Sequence, residues 1–131
     1  MEGYVEHINL DVENLDEAVR FIRTALPEFR VRGSGIYNGA RWLHVGNDLS
    51  YIALNESASM AQGSRLNHVG FAVSNVEAVK GRMLRAGFQE GFIADPHPYR
   101  KRLYFVDADG LEWEFVEYLS DDAVKRNCYA P

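Results

Sequence analysis

The chain has 131 residues, 47% of them hydrophobic, which suits one domain with a sizeable core and excludes a disordered chain. Fourteen Lys and Arg against 19 Asp and Glu give a formal net charge of −5, so nucleic acid and anionic membrane surfaces are not expected partners. No apolar run approaches the roughly 20 residues of a membrane span, no secretion signal opens the chain, and the single cysteine, Cys128, points to a reducing, cytoplasmic setting.

In chain order, residues 4 to 10 alternate as a strand, with Val5, His7 and Asn9 on one face. A capping box of Asn14 and Glu17 starts a helix whose apolar stripe is Leu15, Ala18, Val19, Ile22 and Leu26, and Pro27 ends it. A strand is expected near Phe29 to Arg32, then two strands joined at a turn near Gly46, Asn47 and Asp48. Small and polar residues over 57–65 read as a linker. The order then repeats. A strand carries Leu66, His68 and Gly70. Ser74 with Glu77 caps a helix striped by Val76, Val79 and Met83, with Gly87 as its C-cap. A strand near Phe88 to Phe92 and a hairpin turning at Asp107 to Gly110 follow. The tail, 120–131, reads as a short helix capped by Ser120.

Two segment pairs align at one offset of 61 residues. His7 falls on His68, Val12 on Val73 and Asn14 on Asn75; Arg41 falls on Arg102, Val45 on Val106, Asp48 on Asp109 and Glu56 on Glu117. The same pairing sets His44 on Phe105 and Tyr51 on Glu112. An equal offset at both ends of a module means that one supersecondary unit, βαβββ, is written twice. Module one is 1–56 and module two 66–119.

The paired strand starts HINL and HVGF, the ending DADGLEWEFVE and the duplication together resemble the vicinal oxygen chelate superfamily, which includes glyoxalase I, bleomycin-resistance proteins and extradiol dioxygenases. The hallmark ending D-P-D-G-x-x-x-E is matched by Asp107 to Gly110 and Glu114, with Ala108 in place of the proline. The resemblance implies an α+β fold, in which the modules form a cup-shaped mixed sheet with helices outside. It also implies a divalent metal held by first-strand and last-strand residues of each module. Those positions fall on His7, Ala53, His68 and Glu114, and the repeat offset carries His7 onto His68 and Ala53 onto Glu114.

Two imidazoles and a carboxylate, with Ala53 unable to bind, make the 2-His-1-carboxylate set that suits non-haem Fe(II) and its oxygen chemistry. Fe(II) is therefore the expected metal, with Mn, Ni and Zn as alternatives. By the same resemblance Tyr104 and His97 are candidate catalytic groups. Arg100 and Arg102 are candidates to receive a carboxylate or phosphate, and Tyr51, Ala53 and Glu112 are candidates to line the cup. Three functions are open: an extradiol-type dioxygenase acting on a small aromatic or vicinal-oxygen substrate, a metal-dependent lyase or epimerase, and a metal-free small-molecule binding protein. A homodimer is the family expectation.

Overall fold

The computed structural model describes residues 5–58, 66 and 68–129. Most of the expected linker, 59–65, lies outside the described residues, as does Asn67. The chain divides into two compact units, Met1–Ser64 and Arg65–Pro131.

The first unit runs β1 (His7–Val12), α1 (Leu15–Ala25), β2 (Arg30–Tyr37), β3 (Ala40–Gly46) and β4 (Tyr51–Glu56), in sheet order β1-β4-β3-β2. The β1 and β4 strands are parallel, and the other neighbours antiparallel. Asn14 begins α1 as expected, its side-chain oxygen accepting the Glu17 N–H at 3.0 Å. The Glu17 carboxylate does not reach back to close a capping box; it takes Arg20 at 2.7 Å. The other carboxylate at the helix start is Glu56, which accepts the Leu15 N–H at 3.0 Å. The buried face of α1 is Leu15, Phe21, Ile22 and Ala25, with Leu26 after it, while Ala18 and Val19 are half-buried. The stripe is thus turned toward Phe21, the largest side chain available to fill the space over the sheet. Asn38 and Gly39, at φ 49° and 77°, make the two-residue turn between β2 and β3.

The second unit runs β5 (His68–Ala72), α2 (Val76–Arg85), β6 (Gln89–Glu90), β7 (Arg100–Val106), β8 (Glu112–Tyr118) and α3 (Ala123–Arg126), with sheet order β5-β8-β7-β6. Asn75, not Ser74, caps α2, accepting the Ala78 N–H at 3.1 Å. Glu117 repeats the part of Glu56 by accepting the Val76 N–H at 2.9 Å. The helix ends as a Schellman motif, with Gly87 at φ 85°, Gly87 N–H on Leu84 O and Phe88 N–H on Met83 O, both at 3.1 Å. The strand expected over Phe88 to Phe92 shrinks to two residues. In α3 the cap is Asp122, which accepts the Val124 N–H, while Ser120 accepts the Asp122 N–H.

Strand register corrects part of the repeat. Gly46 pairs with Tyr51 across a four-residue turn, 47–50, whereas Val106 pairs with Glu112 across a five-residue turn, 107–111. The last strands keep the offset of 61, but β3 and β7 correspond at 60. His44 is therefore the counterpart of Tyr104, not of Phe105, and Trp42, not Arg41, is the counterpart of Arg102. Each helix covers one sheet face. The first core is built from Val12, Phe21, Ile22, Val45, Ile52 and Leu54, and the second from Val79, Met83, Leu103, Phe105, Trp113 and Phe115. Strand alternation sends the candidate site residues to the opposite face of each sheet.

Candidate metal centre

In the second unit, His68 opens β5 opposite Glu112, and Gly70, two residues on, lies opposite Glu114. Tyr104 of β7 faces Glu114 from the other side. His68 Nε2 approaches Glu114 Oε2 to 3.2 Å. Gly70 lies beside the carboxylate, and a Cβ there would stand in ordinary van der Waals contact with Oε2, at 3.7 Å. The Tyr104 hydroxyl lies beside Glu114 and Arg102. Its ring meets His68 edge-on at 5.9 Å and Phe92 at 5.4 Å. Burial, and then the neighbouring Glu114 carboxylate, push the Tyr104 pKa up, so the phenol stays protonated.

The other residues suggested in this unit are placed differently. Glu112 Oε2 accepts the Phe92 N–H at 3.0 Å, and a Cβ at Gly91 would fall 2.5 Å from that oxygen, so a larger residue there would push the carboxylate aside. His97 Nδ1 accepts the Tyr99 N–H at 3.0 Å, which places its proton on Nε2, where it is donated to Cys128 O at 3.0 Å. Arg100 Nη1 donates to Arg126 O and Cys128 O, both at 3.1 Å. His97 and Arg100 thus anchor the C-terminal tail. Both also line, with Arg102, Phe92, Ile93 and Lys80, a cavity of about 280 Å³. Among the described residues Arg102 Nε is a buried side-chain nitrogen with no hydrogen-bond partner.

In the first unit, His7 begins β1 opposite Tyr51. Its Nδ1 lies 3.0 Å from Glu6 Oε1, an arrangement that places the proton on Nδ1 and leaves Nε2 as the donor toward a metal. The His7 ring stacks on Tyr51 at 4.7 Å and 11°, and His44 stacks on Tyr51 at 4.7 Å and 26°. Ala53 lies between Asn9 and His44 and offers no donor. Burial, and then the neighbouring His7 and Arg32, lower the His44 pKa. Sequence reasoning missed Glu6, Arg32 and His44; the one-residue difference in turn length hid the correspondence of His44 with Tyr104.

The structure brings together His68, Glu114 and Tyr104 in one unit, and His7, Tyr51 and His44 in the other. Among the described residues no three His, Cys, Asp or Glu side chains gather. The donors of the second unit nonetheless suit a divalent ion, because an imidazole nitrogen and a carboxylate oxygen converge at His68 and Glu114. No helix among the described residues is long and apolar enough to cross a membrane.

Solved structures place this architecture. A glyoxylase/bleomycin resistance protein/dioxygenase domain from Frankia sp. EAN1pec superposes with a TM-score of 0.75 at 21% identity, covering 90% of this chain and 99% of that one. A substituted FosX, a fosfomycin resistance protein from Listeria monocytogenes complexed with Mn(II) and 1S,2S-dihydroxypropylphosphonic acid, gives 0.74 at 17% identity over 98% of this chain and all of its own. The fold is shared with these structures: two βαβββ modules, each with a four-stranded mixed sheet. In sequence, a probable trivalent organoarsenical cleaving enzyme of Bacillus subtilis strain 168 is 27% identical over 126 residues, spanning 92% of this chain and 84% of the relative. No family model matches the chain.

Proposed function

We propose that the protein is a divalent-metal-dependent enzyme, a mononuclear Fe(II) oxygenase of extradiol type that acts on a small aromatic or vicinal-oxygen substrate. The observation that carries the reading is the 3.2 Å approach of His68 to Glu114, with the Tyr104 hydroxyl on the same carboxylate. His7, through Nε2, is the third donor of the proposed site. Iron, when bound, supplies Lewis acidity and the redox capacity that O2 chemistry requires.

The chain's own residues do the rest. Tyr104 keeps its proton at neutral pH and so presents a hydrogen-bond donor to an oxygen that gains negative charge. Arg102 adds positive charge beside it. Ala53 contributes no fourth donor, which keeps a position open for substrate. The organoarsenical relative supports bond cleavage, but not an arsenical as the substrate here: trivalent arsenic is soft and favours thiolate pairs, and this chain has one cysteine. The reading includes a cytoplasmic homodimer, which sedimentation would report as a species of twice the chain mass.

The test is anaerobic loading with Fe(II), then O2 uptake with a panel of catechols, alongside His68→Ala and Glu114→Ala. Substrate-dependent O2 consumption that both substitutions abolish is the expected result. Turnover with Mn(II) and no O2 consumption would replace the oxygenase with a metal-dependent lyase. Failure to bind any divalent metal would leave a small-molecule binding protein.

A further inference from the structure

The two modules differ most where the family's fourth ligand would stand. In the second unit the Glu114 carboxylate fills the space between the first-strand His68 and the third-strand Tyr104. In the first unit the matching pair is His7 and His44, and Ala53 has only a methyl group to put between them. The space is filled from one pleat away by the Tyr51 ring, stacked on His7 at 11° and on His44 at 26°, with both centroid distances 4.7 Å.

Three further features hold that ring. The register of β2 on β3 shifts between Val31 and Gly33, so Arg32 is the extra residue of a β-bulge, a device that re-aims a side chain. The Arg32 guanidinium lies 4.4 Å over the Tyr51 ring, and its Nη1 donates to Asn47 O at 3.1 Å. Trp42 backs His44 at 5.0 Å and lies against the bare backbone of Gly35, where a Cβ would come within 3.1 Å of the indole. Gly46, opposite Tyr51, has no room for a Cβ at all, since one would fall 2.1 Å from Ser50 O. A row of rings, Trp42, His44, Tyr51 and His7, therefore crosses the sheet from β3 to β1 and ends on the imidazole assigned to the metal.

We propose that Tyr51, clamped by His44 and Arg32, is a positioning residue for His7: stacking fixes the imidazole plane, as a fourth ligand at Ala53 would otherwise help to do through the metal. Glu6 sets which nitrogen carries the proton; Tyr51 sets where the other one points. The inference rests on the metal-centre reading above, and it assigns the ring, not the hydroxyl, as the working part of Tyr51.

The test is a Co(II) titration of chelator-treated protein, followed by visible absorption, for the wild type, Tyr51→Phe, Tyr51→Leu and His44→Ala. Loss of an outer partner of a metal-binding histidine weakens metal binding about tenfold or more. That loss, with altered Co(II) bands, is expected for Tyr51→Leu and, should that variant not fold, for His44→Ala, while Tyr51→Phe binds as the wild type does. A merely structural role would lower the melting temperature of Tyr51→Leu and His44→Ala without moving Co(II) affinity in either variant that folds, and that result overturns the inference alone. If Tyr51→Phe is as weak as Tyr51→Leu, the hydroxyl is the working group and the stacking account is overturned. If the wild type and His68→Ala alike bind no Co(II), the metal-centre reading falls and takes this inference with it.

Discussion

Tyr104 stands beside Glu114 and can serve as a proton donor only while the phenol keeps its proton, and burial, which raises its pKa, ensures that it does. Replacing Tyr104 by Phe keeps the ring against His68 and Phe92 and removes the donor alone. For the proposed enzyme kcat/KM should fall by about two orders of magnitude, the usual worth of a positioned proton donor, with little change in melting temperature. Steady-state O2 uptake and a thermal melt on the same sample check both halves of that expectation. Unchanged kinetics would make Tyr104 a packing residue. At this scale the sequence singles out His7, His68, Glu114 and Tyr104 as candidates because strand alternation and the repeat act on them directly. It gives no sign of the contacts of His97 and Arg100, whose partners are carbonyls of the tail some 26 to 31 residues away in sequence, a separation that no local pattern encodes. Glu112 was open to reading as a spare carboxylate; its commitment to the Phe92 N–H depends on a chain crossing at Gly91 that spacing does not reveal.

Each module fastens its helix to its last strand with a single carboxylate, Glu56 on the Leu15 N–H and Glu117 on the Val76 N–H. A carboxylate at a helix N-terminus satisfies an otherwise unpaired donor and lies at the favourable end of the helix dipole. Arg41 binds the Glu56 carboxylate at 2.8 Å, and that pair, followed by the Leu15 N–H, holds the Glu56 pKa down at about 2 against an ordinary value of 4.5. A carboxylate whose pKa is depressed on folding stabilises the protein above its unfolded value, and that stabilisation drains away as pH falls from about 4.5 toward 2. Glu56→Gln should therefore lower stability at pH 7 and flatten its decline between pH 5 and pH 3, as urea melts at those three values would report. A variant curve parallel to the wild type would show the ion pair to be idle, as surface pairs often are. The paired carboxylates were legible as repeat partners, though not as caps, because a cap supplied from 41 residues away leaves no local signature. Ser74 and Asn75 are both good caps, and only the repeat, which sets Asn14 on Asn75, chooses between them. The correspondence of β3 with β7 was out of reach, since the extra turn residue before β8 is offset by a shorter path before β7.

At the scale of the whole molecule, the proposed donors are divided between two compact units, each with its own core: His7 in the first, His68 and Glu114 in the second. Anything that binds only the folded state stabilises it by RT ln(1 + [L]/Kd), about 2.7 kcal/mol at a hundredfold excess over Kd. For a chain of this length that corresponds to a rise in Tm of roughly 10 °C. Adding Fe(II) anaerobically, or Co(II) in air, to chelator-treated protein should produce such a rise, and a chelator should reverse it. His7→Ala, His68→Ala and Glu114→Ala should each lose most of the shift, because two donors hold a divalent ion far more weakly than three. The His7 variant carries the most information. If it responds to metal as the wild type does while the other two do not, His7 is no ligand and the ion rests on His68 and Glu114, whatever the chemistry they support.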